Sequence, residues 1–152
     1  MASFDVDNTD VLFLVVSGGK GALDTVERAK ALINDGYRVN VIATPTAKQW
    51  IDGDQIEAVT GWPLRVEMRS PYEPTFEPRA GRVLASPVTL NTLTKWARGH
   101  ADNLALGLLC EAIGMGIPTT AEIQLSEAFA AHPATDDSIS VLRRYGVEIS
   151  PA

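Results

Sequence analysis

Val11-Leu12-Phe13-Leu14-Val15-Val16, followed at once by Ser17-Gly18-Gly19-Lys20-Gly21, is the stretch on which the fold turns. Six consecutive apolar residues, rich in β-branched side chains, suit a strand covered on both faces, as in a parallel sheet. The glycines break the run. Beyond them Ala22, Val26, Ala29 and Ile33 recur at helical spacing with Leu32 alongside, while Asp24, Glu27, Arg28 and Lys30 fall off that stripe. Gly36 supplies a C-terminal stop, and Val39 to Ala43 reads as a second strand. Strand, glycine loop, helix, strand is a βαβ unit with a right-handed crossover.

The same alternation continues outward. Thr44 is an N-cap with Pro45 at the first helical position. A short helix is expected over Asp54 to Thr60, and a third strand over Leu64 to Met68. Ser70 to Gly81 carries Pro71, Pro74 and Pro78 and is expected to be irregular. Arg82 to Ser86 reads as a fourth strand ending at Pro87, and a helix runs from Leu90 towards Gly99. Leu104 to Met115 is apolar nearly all round, with Glu111 its only charge, so it belongs in a core or a subunit interface. Ile117 to Ile123 is a fifth strand. Asp136-Asp137-Ser138 is expected to cap a last helix that Gly146 ends, before a final strand over Val147 to Ile149. The polar residues 1–9 are expected to fray. The whole is an α/β chain with an open, mostly parallel sheet.

A length of 152 residues fits one domain, residues 1–152. Hydrophobic residues at 45% and charged residues at 21% exclude a disordered or collagen-like chain. The formal net charge of −6 lacks the basic footprint of phosphate-backbone binding, so nucleic acid is not expected as a partner. Cys110 is the only cysteine, so no internal disulfide can form. The longest apolar runs fall far short of the ~20 residues that span a bilayer. With no secretory signal pattern either, no membrane partner is expected and a cytoplasmic location is.

Three places carry polar chemistry. The turn at Gly18, Gly19 and Gly21 points backbone N–H groups and a helix start towards an anion. It matches neither the dinucleotide fingerprint nor the Walker A loop. The plainer reading is a tight strand-to-helix turn. Thr44-Pro45-Thr46 forms a second helix start after a parallel strand, where open sheets bind ligands, and the two turns together suit a phosphate. Alone, Thr44 is simply a cap. The third place runs from Ser86 to Asn103, where Ser86, Thr89, Asn91, Thr92, Asp102 and Asn103 bracket an amphipathic helix. Such groups could bond the edge of a heteroaromatic ring, or only cap the helix ends. His100, His132 and Cys110 lack metal-site spacing, so no metal is expected.

These residues resemble the homo-oligomeric flavin-containing cysteine decarboxylases, the family of phosphopantothenoylcysteine decarboxylase, the lantibiotic peptidyl-cysteine decarboxylases and the related flavin prenyltransferases. The likeness runs from about Val11 to Ile149. It is carried by Val16-Ser17-Gly18-Gly19, Ala43-Thr44-Pro45-Thr46-Ala47, Val59-Thr60-Gly61-Trp62-Pro63 and Pro87-Val88-Thr89-Leu90-Asn91-Thr92-Leu93. Ala101-Asp102-Asn103-Leu104 and His132-Pro133-Ala134-Thr135 complete it. The resemblance implies a Rossmann-like, flavodoxin-like three-layer fold and an FMN bound at the interface of a homo-oligomer, a trimer or a dodecamer of trimers. Gly18, Gly19 and Thr44 with Thr46 would hold the phosphate. Thr89, Asn91 and Thr92 would lie against the isoalloxazine, with Ala101, Asp102 and Asn103 nearby. In these decarboxylases the flavin oxidises a cysteine thiol, and the thioaldehyde so formed lies β to the carboxylate, which leaves as CO₂.

The chain departs from the family pattern in places that matter. No His occurs in Tyr72-Glu73-Pro74-Thr75-Phe76-Glu77-Pro78-Arg79, where the decarboxylases have one, and Glu73 stands near that position. Ile123-Gln124-Leu125-Ser126 occupies the place of Pro-Ala-Met-Asn, leaving Gln124 or Ser126 as the substitute donor. Lys20 replaces an apolar residue and is either a partner for the FMN phosphate or a carboxylate, or a solvated side chain. The expected function is therefore FMN-dependent chemistry on a small or peptidyl substrate: oxidative decarboxylation of a cysteinyl group, or a different flavin reaction with Glu73 or Glu77 as acid–base group. A carboxylate does such work at neutral pH only when burial raises its pKa. The alternative is a flavin-binding or regulatory subunit without catalysis.

Overall fold

The computed structural model describes residues 8–74 and 78–150. Five strands form one parallel sheet: β1 (Val11–Val16), β2 (Arg38–Ala43), β3 (Arg82–Val88), β4 (Thr119–Ile123) and β5 (Glu148–Ser150). Their spatial order is β2-β1-β3-β4-β5, and every pairing is parallel. The chain begins in the middle and winds outward both ways, so the direction of winding reverses between β1 and β3. In open α/β sheets the crevice at that reversal, beyond the carboxyl ends of the strands, receives the ligand.

The six apolar residues of β1 are all buried, as continuous apolar runs in central parallel strands require. Their side chains divide between two cores. Val11, Phe13 and Val15 pack with α4 (Leu90–Ala97), α5 (Leu104–Gly114) and α7 (Pro133–Arg144), through Leu93, Trp96, Leu106, Leu109 and Leu142. Leu12, Leu14 and Val16 face α1 (Thr25–Asn34) and α3 (Gly53–Thr60), through Ala29, Leu32 and Ile56. Each fully buried leucine of this kind contributes about 1.5–3 kcal/mol. The result is the three-layer α/β arrangement that the alternation of elements predicts.

Local differences from the sequence reading have local causes. Leu64 to Met68 is not a third strand. After Pro63, Arg65 alone bridges to Ile42, accepting from the Ala43 amide at 2.9 Å and donating to Val41 O at 3.0 Å. A single-residue bridge on the outer edge of β2 is what a proline and flanking charges allow. Pro87 does not end the fourth strand, which continues to Val88 through a cis Ser86–Pro87 bond and a shift of register against β4. The fifth strand starts at Thr119 rather than Ile117, after Pro118, which has no amide to donate. The last helix starts at Pro133, not at Asp136. His132 caps it, its Nδ1 accepting from the Ala134 amide at 3.0 Å, and Pro133 takes the first helical position. The first helix opens with a 3₁₀ turn, Lys20–Asp24, before α1. The last strand lies one residue later than expected, at Glu148–Ser150.

At the N-terminus, Asn8 and Thr9 pack on Gly81, where a Cβ would collide with the Asn8 carbonyl, so the expected fraying does not reach them. Residues 1–7 lie outside the described residues. Helix α5 buries Ala105, Leu106, Leu109 and Ala112, while Leu104, Leu108, Cys110 and Ile113 are only half-buried. No described helix is long and apolar enough to cross a membrane.

Candidate functional site

Four helices begin at the carboxyl edge of the sheet, and their N-caps meet in one place. Thr44 caps α2 (Pro45–Lys48), its hydroxyl accepting from the Ala47 amide at 3.2 Å. Thr89 caps α4, accepting from Thr92 at 3.5 Å, and Asn103 caps α5, its Oδ1 accepting from Leu106 at 2.8 Å. Ser126 caps α6 (Glu127–Ala130), accepting from Phe129 at 3.3 Å. The capping reading is therefore correct for Thr44, Thr89 and Asn103, and Ser126 is a cap that the sequence reading did not foresee. Yet all four also line a single cleft of about 550 Å³, within the usual range for small-ligand sites. Helix N-termini carry unpaired N–H groups and partial positive charge, so their convergence favours an anionic or acceptor-rich ligand without a charged side chain.

The glycine loop closes one side of this cleft because no side chain fits there. A Cβ on Gly18 would lie 2.6 Å from Thr46 Cγ2. On Gly19 it would lie 3.0 Å from Gln124 Oε1 and 3.4 Å from Pro87 Cγ. The loop is thus held between α2 and the ends of β3 and β4. The Ser17 amide donates to Pro87 O at 3.1 Å, and the Gly21 amide to Gln124 Oε1 at 2.8 Å. Among the described residues the Gly18 amide donates to no protein acceptor, which leaves it for a ligand.

The cleft gathers most of the residues singled out in the sequence: Gly18, Thr44, Thr46, Thr89, Asn91, Thr92, Asn103, Gln124 and Ser126. Gly19 stands behind this wall, against Thr89 and Gln124. Lys20 is exposed beyond it and does not line it. Ala101 and Asp102 are exposed and also outside its lining. Asp102 pairs instead with Lys95 at 2.7 Å, and that hydrogen bond holds its carboxyl below the usual carboxylate range. Pro45, Leu90, Leu125 and Phe129 line the cleft without having been singled out. Phe129 is 53% exposed at the cleft. Nothing in Glu127-Ala128-Phe129-Ala130 marks it, since a short run of this kind also suits an ordinary helical turn.

Glu73 is not brought to Gln124 and Ser126. It lines a second cleft, of about 300 Å³, with Arg65, Arg69, Arg79 and Glu111 around an apolar floor that includes Phe13, Leu104 and Leu108. Glu77 lies outside the described residues. Among the described residues no cluster of His, Cys, Asp and Glu could hold a metal ion. Burial pushes the Cys110 thiol up, away from thiolate chemistry.

Comparisons with known proteins bear on the fold and the family. The chain is 27% identical over 150 residues to the probable phosphopantothenoylcysteine decarboxylase of Streptococcus mutans, covering 94% of this chain and 83% of that protein. It is 30% identical over 142 residues to the coenzyme A biosynthesis bifunctional protein CoaBC of Mycobacterium tuberculosis, covering 90% of this chain but only 33% of that longer protein. The crystal structure of the FMN-dependent cysteine decarboxylase SpaF superposes with a TM-score of 0.79 at 22% identity, over 95% of this chain and 85% of that one, and so shares the fold. The family model described as Flavoprotein matches residues 4–152, nearly the whole length, and the chain belongs to that family.

Proposed function

We propose that this chain is an FMN-dependent, decarboxylase-like enzyme acting on a small or peptidyl substrate with a cysteinyl end. The observation that carries the reading is the meeting of four helix N-caps with a glycine loop on one cleft, at the reversal of the sheet. The residues fit the group. Gly18 lines the cleft together with Thr44 and Thr46, and its amide is available to donate to a phosphate. Thr44 and Thr46 would share that phosphate. Thr89, Asn91, Thr92 and Asn103 would meet the polar edge of the isoalloxazine, with Leu90, Leu125 and Phe129 against its apolar faces. When bound, the flavin supplies the oxidising equivalents that turn a cysteine thiol into a thioaldehyde, from which CO₂ leaves with charge spread onto sulfur.

What the chain itself contributes is binding and orientation. Ser126 and Gln124, which line the cleft, would hold a substrate carboxylate. Glu73 lies in the other cleft, so its part in proton transfer requires a second copy to bring that cleft to this one. The half-buried Leu104 and Leu108 of α5, which line the Glu73 cleft, suit such a contact. This supports a homo-oligomer, for which the trimer that the resemblance implies is one closed form.

The test is a visible absorption spectrum of the purified protein with mass spectrometry of the released chromophore, followed by CO₂ release from a cysteinyl substrate. A yellow protein releasing FMN and turning over supports the proposal. A yellow protein without turnover points to the flavin-binding subunit without catalysis. A colourless protein that takes up no added FMN rejects both. For the shared site, Gly18→Val and Glu73→Gln chains are each assayed alone and then mixed. Activity regained on mixing is expected, and none regained removes the second copy from the site.

A further inference from the structure

The contact between Gln124 and Gly21 joins residues 103 positions apart in the chain. It joins the first βα loop to the residue after β4, across the end of β3. Gln124 is carried there by β4, its own amide donating to Val88 O at 3.0 Å, so its position is fixed by the sheet. Its side chain then passes Pro87 and accepts from the Gly21 amide at 2.8 Å. Because the partner is an N–H, the contacting atom must be the amide oxygen, which also fixes where the NH₂ group lies. That NH₂ donates to no protein acceptor among the described residues, and Gln124 lines the flavin cleft.

The surrounding glycines show how closely this contact is built. A Cβ on Gly21 would meet Pro87 Cγ at 3.3 Å and Gln124 Oε1 at 3.4 Å, and Gly19 is tighter still. The loop therefore has two anchors on this side, Ser17 on the Pro87 carbonyl and Gly21 on Gln124, with the unpartnered Gly18 amide beside the first and before the second. Without the Gln124 oxygen the Gly21 end loses its anchor and the aim of the Gly18 amide is no longer set.

From this we infer that Gln124 is a positioning residue for the nucleotide. Its amide oxygen sets the phosphate-facing form of residues 18–21, and its NH₂ offers a donor to an acceptor atom of whatever occupies the cleft. The inference rests on the flavin reading, and its test separates the two. FMN and riboflavin, which lacks the phosphate, are titrated into wild type and Gln124→Leu by quenching of flavin fluorescence, with thermal melting as a folding control. Wild type that binds neither flavin defeats the underlying reading. Given binding by wild type, Gln124→Leu is expected to bind FMN at least about 10-fold more weakly, with a smaller loss for riboflavin, because the phosphate reads the loop. Equal losses for both flavins, or no loss for either, overturn the inference. Amide hydrogen exchange in flavin-free wild type gives an arm that needs no variant. The Gly21 amide is expected to exchange at least about 10-fold more slowly than that of Gly18, and equal rates would show that Gln124 holds nothing.

Discussion

Two of the clefts that hold candidate residues are built on different principles. The one beyond the carboxyl ends of β1 and β3 is lined by helix N-caps and glycine backbone, with no Lys, Arg, Asp or Glu in its lining. The one beside α5 is ringed by Arg65, Arg69 and Arg79 with Glu67, Glu73 and Glu111 over an apolar floor. In the first, polarity comes from peptide dipoles and neutral side chains that do not titrate. In the second, it comes from long side chains whose attraction is screened by salt. Helix α5 connects them, its cap Asn103 on one cleft and its Leu104 and Leu108 on the other. A preformed, dipole-lined cleft suits a tightly held cofactor, and a ring of charged side chains suits a passing substrate or a second subunit.

The strongest way to break this comparison is to fill the backbone-built cleft. Gly18→Val should weaken FMN binding about 100-fold or more, since its Cβ must displace Thr46, and the melting temperature should change far less. Fluorescence titration beside a melting curve decides it, and undiminished affinity would show that the loop does not touch the nucleotide. Removing the support shared by both clefts comes next. Leu109→Ala, under α5 and fully buried, should cost about 2–5 kcal/mol of stability in denaturant unfolding.

Asn103→Ala sharpens the contrast, because it takes the cap from α5 within the first cleft and touches nothing in the second. A loss of about 0.5–2 kcal/mol is expected, together with weaker flavin binding. Stability lost with flavin affinity intact would make Asn103 a cap and no more. Glu73→Gln should do the reverse. Flavin affinity should stay within about 2-fold of wild type while CO₂ release falls, and unchanged turnover would exclude Glu73 from the mechanism.

The smallest effect lies outside both clefts. Hydrogen bonding from Arg28 at 2.9 Å, and then from the Ser86 hydroxyl at 2.6 Å, holds the Glu122 carboxyl below its ordinary value of 4.5 despite partial burial. Because the folded-state pKa is depressed, this contribution is fully present above pH 4.5 and is lost as pH falls through the folded value. Glu122→Gln should lower the melting temperature slightly at pH 7, and the difference from wild type should shrink in acid. A gap that persists unchanged below that range would mean the pair contributes nothing through its charge.

Much of the local structure was legible in the chain. The apolar run of β1, the caps Thr44, Thr89 and Asn103, and the stops at Gly36, Gly99 and Gly146 are signals written within a few residues, and the three stops all take positive φ. The misreadings were also local, and proline was present at the larger ones. Pro63 cut Leu64 to Met68 down to one bridge, Pro87 was passed through within β3, and Pro133 began a helix that Asp136 was expected to begin. In these cases the missing amide and the fixed φ of proline were weighed against the pattern of neighbouring side chains, and the geometry around each proline decided which prevailed.

The sequence alone determined the order of elements, the parallel sheet and the polar turns that follow its strands, because periodicity and capping act between residues three or four positions apart. Only the tertiary structure decided which of those turns share a cleft. The order β2-β1-β3-β4-β5 places the ends of β1, β3 and β4 side by side. That brings Gln124 to Gly21, sets Phe129 at the cleft, and leaves Glu73 in a different one. Contacts between residues a hundred positions apart depend on how the strands are ordered, and that order is settled by the burial of both sheet faces together.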